Sequence, residues 1–366
     1  MLPLPSSIPR RRGTTLPLVD SRTAAALARY EGLEGASVAS LGHGLINDTY
    51  RVESARGTFV LQRVNPIFGA AVHDNIQACT AGLARAGVAT PELVRARDGA
   101  LAVTLEDGAV FRVLTFVAGA SFDVAESLEQ VRSAAALIGR FHAALARSAH
   151  CFTVSRVGVH DTARHMARLD EALTTRGEHR LSQRVRPLGE EVLAEFAALS
   201  PLGSREPVIG HGDLKLNNVL FAGTEPGERD RAVCLVDLDT VGPIALGHEL
   251  GDMWRSWCNP LGEDAEQGAF ELPIFEASLH GYVAGRGAPF SDHEREALLV
   301  GVEHIALELA ARFLADALFE SYFGFDSERY ATRGEHNLVR GRGQLALYRA
   351  TVACREERAR LLAQVP

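Results

Sequence analysis

One short run constrains this 366-residue chain more than anything else in it: His211-Gly212-Asp213-Leu214-Lys215-Leu216-Asn217-Asn218, followed by Asp237 at the end of an apolar stretch, Ala232 to Val236. As chemistry, these are the parts needed to move a phosphoryl group. Asp213 supplies a carboxylate that can accept a proton from a hydroxyl, and Asn218 an amide oxygen that can reach a metal. Asp237, delivered by a strand, can hold Mg²⁺ against phosphates. Lys215 meets the transferring group as a point charge. It is also the only lysine among 38 basic side chains. A general bias toward arginine explains the others but not this exception, because a rigid guanidinium fork does not replace a compact ammonium in a tight loop.

The same order and spacing recur in protein kinases and small-molecule kinases. With His-Gly-Asp at the loop, the chain resembles the aminoglycoside phosphotransferase and choline kinase superfamily, and within it the N-acetylhexosamine 1-kinases. The closer resemblance rests on Ile46-Asn47-Asp48-Thr49-Tyr50 with Val60-Leu61-Gln62-Arg63-Val64-Asn65, on Leu235 to Val241, and on His336-Asn337-Leu338. It implies an α+β, two-lobed protein-kinase-like fold. A small antiparallel β N-lobe would occupy 20–117 and a mainly helical C-lobe 118–366, after a mobile tail over 1–19. It further implies ATP and Mg²⁺ as cofactors, Asp213 and Lys215 as catalytic residues, and Asn218 and Asp237 as metal ligands. His211 and Asp252 would support the loop, Asp252 by buttressing its backbone. Gly42, Gly44, Asn47 and Thr49 would lie against the nucleotide, and the backbone from Thr115 to Val117 against adenine.

Composition fits such an enzyme. With 46% apolar residues the chain can fill two cores. A net charge of −8 argues against nucleic acid or a membrane surface as partner. The five cysteines show no paired spacing, as expected of reduced thiols in a cytoplasmic protein, and no apolar run approaches a membrane span.

Apolar periodicity predicts helices over Thr23 to Tyr30, 70–86, Glu126 to Ser148, Asp161 to Leu173, Pro187 to Leu199 (opened by its proline), Leu246 to Trp257, Leu272 to Val283, Asp292 to Phe323 and Gly341 to Gln364. Strands are predicted at Val38 to Leu41, Tyr50 to Glu53, Thr58 to Val64, Val110 to Val117 and Arg231 to Leu238. The strand lysine that holds the α/β-phosphates in kinases is absent, so Gln62 or Arg63 must serve, with Asp74 the only acid on the next helix to pair with Arg63. His142 falls on an apolar helical stripe, and Trp254 and Trp257 read as packing. If the strand through Asp237 continues, Asp239 shares its face and could bind a second Mg²⁺ or a substrate hydroxyl; it could equally cap the next turn. Arg255 could face the acceptor. Arg312 could bind the acceptor or pair with Glu308 one turn away.

The expected acceptor is a small molecule with a hydroxyl, a sugar before others; the oligomeric state stays open. A cationic acceptor, as in amino alcohol, homoserine or aminoglycoside kinases, would need free acids, for which Glu303, Glu308, Asp316 and Glu320 are the candidates. A nucleotide-binding pseudokinase is the third reading, disfavoured by the complete Asp213, Lys215, Asn218 and Asp237 set.

Overall fold

A computed structural model describes residues 20–41, 46–69, 71–153, 160–202 and 207–366. The expected tail and the glycines Gly42 and Gly44 lie outside the described residues. The chain forms two compact units.

The smaller unit comprises 1–66 and 93–116. Its helix α1 (Ser21–Leu27) starts at Asp20, whose side chain accepts from Thr23 N at 2.7 Å, one of the donors a helix start leaves unpaired. The strands are β1 (Ser37–Ser40), β2 (Asp48–Ser54), β3 (Gly57–Val64), β4 (Leu93–Val94), β5 (Val103–Thr104) and β6 (Val110–Thr115). They pair antiparallel in the order β1-β2-β3-β6-β4, with β5 also on β6. Alternation buries Val38, Val52, Leu61, Phe111 and Val113 on one face against Ala26, Leu27 and Tyr30. Gln62 points to the other face, opposite Arg112 in the register.

The larger unit contains 67–92 and 117–366. Helix α2 (Ala71–Arg85) thus belongs here by its contacts, as does Val117, whereas the sequence reading placed both in the first lobe. Helices α3 (Leu128–Leu145), α4 (Thr162–Thr175) and α5 (Ser182–Ala198) precede two short ladders, β7 (Val208–Gly210) with β10 (Gly242–Ile244) and β8 (Val219–Phe221) with β9 (Ala232–Leu235). Then come α6 (Leu246–Trp257), α7 (Leu272–Arg286), α8 (Asp292–Phe319), α9 (Arg333–Ala353) and α10 (Arg355–Gln364). Helix α6 runs hard against α8: a Cβ on Gly251 would come 2.6 Å from the backbone of Gly301, so only glycine permits the approach. A buried cluster of α4, α5, α8 and α9 residues, including Leu169, Val185, Leu314 and Leu345, fills the core.

Several boundaries differ from the periodicity. Pro187 lies inside α5, which begins at Ser182, so the proline does not open it. Helix α8 stops at Phe319 because Glu320 turns left-handed, with φ of 50°, and the Asp316 carboxylate collects the N–H groups of Ser321, Tyr322 and Phe323. The expected single C-terminal helix is two, α9 and α10, separated at Cys354. Strand β9 ends at Leu235, short of Asp237.

Candidate active site

The run His211 to Asn218 links β7 to β8, and almost every peptide group along it is tied down. Gly212 has φ of 78°, a left-handed conformation that a side chain disfavours, and a Cβ there would lie 2.8 Å from Thr240 O. A glycine between His211 and Asp213 is therefore a steric requirement. Thr240 Oγ1 donates to His211 O at 2.7 Å, His211 Nε2 to Val236 O at 2.8 Å, Asn218 Nδ2 to Asp213 O at 2.8 Å, and Trp257 Nε1 to Leu214 O at 2.8 Å.

The carboxylate beneath the loop is Glu249, in the first turn of α6. It accepts from His211 N at 2.7 Å and from Gly212 N at 3.0 Å, and His142 Nε2 lies 3.2 Å away. Burial alone would push its carboxyl up, but the hydrogen bond and charge of His142, together with His211, hold it below the usual carboxylate range. The family resemblance implies Asp252 in this role. Asp252 instead accepts from Arg255 Nε at 2.8 Å, one turn further along α6. His142, expected in the core, is buried there and bridges Glu249 to Tyr282 Oη at 2.9 Å. Glu249 and Trp257 were missed as loop supports. An acid in the first turn of the helix that follows Asp237 is a usable signal; Trp257 offers none, since packing explains its composition equally well.

Above this support, Lys215 Nζ lies 3.2 Å from Asp213 Oδ1. Burial works against the ammonium, but the carboxylates of Asp213, Glu263 and Asp252 outweigh it and raise its pKa above the ordinary lysine value. Asn218 and Asp237 come to the same end of the β8–β9 hairpin, since Val219 pairs with Leu235 and Val236 N donates to Asn218 O at 2.9 Å. The chain then turns left-handed at Asp237, with φ of 64°, and enters the 3-10 turn Leu238–Thr240. This corrects the same-face argument for Asp239. No strand continues past Asp237, and Asp239 is buried while Asp237 is exposed.

The donor set suits the divalent cation that the resemblance implies. Asn218 Nδ2 is engaged by Asp213, which turns its amide oxygen to the other side, and Asp237 presents an exposed carboxylate. Among the described residues no group of three His, Cys, Asp or Glu could hold a metal alone. Mg²⁺ commonly takes one or two protein oxygens and completes its shell with phosphate and water.

Arg255 is buried, with Asp252 on Nε and Glu263 Oε2 3.3 Å from Nη1. Arg312 Nη1 stands 3.9 Å from Glu308 and its guanidinium 5.4 Å from the centre of the Phe323 ring.

In the smaller unit, Gln62 Oε1 accepts from Arg112 Nε at 2.9 Å and Nη2 at 2.7 Å, and Gln62 Nε2 donates to Thr49 Oγ1 at 3.3 Å. The partner of Arg63 is its cross-strand neighbour Asp48, at 3.6 Å, in place of the expected Asp74. Asn47 is buried and accepts from Asn65 N at 2.9 Å, pinning the start of β2 to the end of β3. Thr115 is the last residue of β6, paired with Phe59.

The sequence of residues 37–297, more than half of the chain, matches the model of the phosphotransferase enzyme family. The chain belongs to that family. Solved structures share the fold of this phosphotransferase at low identity. A microcompartment-associated aminopropanol kinase is 19% identical, with a TM-score of 0.60, over 92% of this chain and 98% of its own. A choline/ethanolamine kinase family protein from Mesorhizobium loti is 18% identical, with a TM-score of 0.55, over 93% of this chain and 100% of its own. An amicoumacin kinase in complex with AMP-PNP and Ca²⁺ is 14% identical, with a TM-score of 0.54, over 82% and 87%. These structures share the fold of this phosphotransferase, a small antiparallel sheet and a helical unit. No helix among the described residues is long and apolar enough to cross a membrane.

Proposed function

We propose that this phosphotransferase moves the γ-phosphoryl group of ATP to a hydroxyl of a neutral, polyhydroxylated small molecule, the anomeric hydroxyl of an N-acetylhexosamine or a related sugar before others. Asp213 orients the acceptor hydroxyl and takes its proton, and Lys215 balances the charge on the transferring group. Asn218 and Asp237 would hold Mg²⁺, which neutralises phosphate charge when bound. Phosphoryl transfer of this kind depends on positioning and electrostatics, and the many hydrogen bonds along 211–218 supply positioning.

The observation that carries the choice of a neutral acceptor is the fate of the four acids a cationic one would need. Glu303 is fully buried between Arg355 and Arg358. Glu308 takes Thr162 Oγ1 at 2.6 Å and His160 Nδ1 at 3.3 Å. Asp316 accepts three backbone N–H groups and Asn337 Nδ2, the last at 2.9 Å. Glu320 pairs with Arg180 at 2.6 Å and accepts from Gly334 N at 3.1 Å. Each is committed to a partner within its own chain. A carboxylate so engaged has little left to offer an ammonium, whereas sugar hydroxyls can be read by neutral and paired groups alike.

Incubating the protein with ATP, Mg²⁺ and a panel of N-acetylhexosamines, hexoses, amino alcohols and aminoglycosides, with ³¹P NMR of the products, tests this reading. An anomeric phosphate from an N-acetylhexosamine is the expected product. A phosphate formed only on an amino alcohol or aminoglycoside would sink it, and ATP binding without turnover of any acceptor would favour a pseudokinase.

A further inference from the structure

The segment that follows α6 is pinned by side-chain ion pairs to α6 and α9. Trp257, in the last turn of α6, donates to Leu214 O, which fixes that turn beneath the Asp213–Lys215 loop. From there the chain runs without helix or strand from Cys258 to Glu271. Three acids in this segment are tied to neighbouring helices. Glu263 pairs with Arg255 of α6 at 3.3 Å. Asp264 is held by His336 at 3.0 Å and Arg340 at 2.6 Å, both from α9. Glu266 pairs with Arg342, also from α9. Asn259 closes the base of the segment by donating to Gly262 O and accepting from Ala269 N.

Glu263 differs from the other two. Its partner Arg255 is 5% exposed and already shared with Asp252, while Glu263 itself is 36% exposed. Only its Oε2 is used, and among the described residues Oε1 makes no hydrogen bond. Its partner Arg255 lies on α6 two residues before Trp257, whose indole holds Leu214 O of the loop at 2.8 Å. Its charge, with that of Asp213, also favours the Lys215 ammonium. A half-buried carboxylate anchored through one oxygen by a buried guanidinium is a rigid acceptor for hydroxyl donors.

We propose that Glu263 is an acceptor-binding, specificity-determining residue: anchored by Arg255 on the segment tied down at Asp264 and Glu266, it accepts hydrogen bonds from hydroxyls neighbouring the one that is phosphorylated. The proposal rests on the neutral-acceptor reading and deepens it.

Steady-state kinetics of Glu263→Ala and Glu263→Gln with the acceptor found by the panel test it. Loss of a hydrogen bond to a charged group is expected to raise the acceptor KM of Glu263→Ala by roughly ten- to a hundredfold, with the KM for ATP unchanged. Glu263→Gln, which keeps a carbonyl oxygen, should fall between. Monodeoxy acceptors give a readout that a purely structural role would not produce: one of them should lose in the wild type what Glu263→Ala loses, and lose nothing further in the variant. Asp264→Ala frees the segment without removing the contact and should raise the acceptor KM as well. An unchanged acceptor KM in Glu263→Ala, an equal rise for ATP, or full additivity with every deoxy sugar overturns the proposal alone. A wild-type protein that turns over no sugar overturns the neutral-acceptor reading and this proposal with it.

Discussion

The Lys215 ammonium lies 3.2 Å from Oδ1 of Asp213, so the one lysine of the chain is bound to the one carboxylate proposed as base. Lys215→Arg puts a wider, planar cation where the loop 211–218 is fixed at nearly every peptide. The substitution is expected to lower kcat by roughly a hundredfold or more, as removing a transition-state donor does, while the ATP KM moves little. Near-normal turnover would show that the loop tolerates a guanidinium.

Two glycines separate backbone strain from steric collision. Gly212 and Gly227 both have positive φ, 78° and 86°, but a Cβ would meet Thr240 O at 2.8 Å only at Gly212 and nothing within 4 Å at Gly227. Gly227→Ala should cost about 1 kcal/mol in denaturant unfolding and leave kcat alone. Gly212→Ala should cost more and reduce kcat at least tenfold, because relief of the clash moves the peptide that carries Asp213. Equal effects of the two changes on kcat would contradict this.

Glu249→Gln removes the buried carboxylate that receives His211 N, Gly212 N and His142. Breaking a buried charged network of this kind is expected to destabilise the protein by about 3 kcal/mol and to lower kcat together with it. Because the Glu249 carboxyl is held below its ordinary range, its contribution is present above the unfolded value and lost only as pH falls through the lower folded one. Gln has no such titration, so the acid limb of the melting profile should be flatter in the variant than in the wild type. A superimposable limb would place the network's energy elsewhere.

His248 stacks on His160 at 5.3 Å, with Glu308, His304 and Asp252 acting on it. Burial, reinforced by the charges of His160 and His304, pushes its pKa down to about 4. Between about 4 and the ordinary histidine value near 6.5, the unfolded chain binds the extra proton, so stability should rise with pH across that window. His160 has the opposite sign: burial opposes its charge, but Glu308 outweighs it and raises its pKa, so its contribution is lost as pH rises past 6.5. Melting temperatures should peak near that value, and His248→Gln should flatten the acidic side. An unaltered slope in the variant would contradict the assignment.

Much of the site can be read in the sequence because it is local. Asp213, Lys215 and Asn218 sit within one loop, where the spacing along the chain is the spacing in space, and a φ-positive glycine between His211 and Asp213 leaves its mark as a residue type. The antiparallel sheet and most helices are legible for the same reason, through the two periods of 2 and 3.6 residues. The failures fall where distant segments meet. Glu249 and Asp252 lie one turn apart on the same helix, and nothing in their local sequence says which of them reaches the backbone of His211 and Gly212. Arg63 and Gln62 were separable only as opposite faces; the register that sets Gln62 across from Arg112 and Arg63 across from Asp48 is a property of the assembled sheet.

By itself, then, the sequence determined the chemistry of the His211–Asn218 run, the singular place of Lys215 and the class of fold, because these depend on residue type and short-range spacing. The tertiary structure alone decided which acid braces the loop, that Glu303, Glu308, Asp316 and Glu320 are each engaged by a partner, and that Glu263 is anchored on Arg255 through one oxygen. Pairing of charges across tens or hundreds of residues depends on how helices pack, and side-chain packing has no one-dimensional signature.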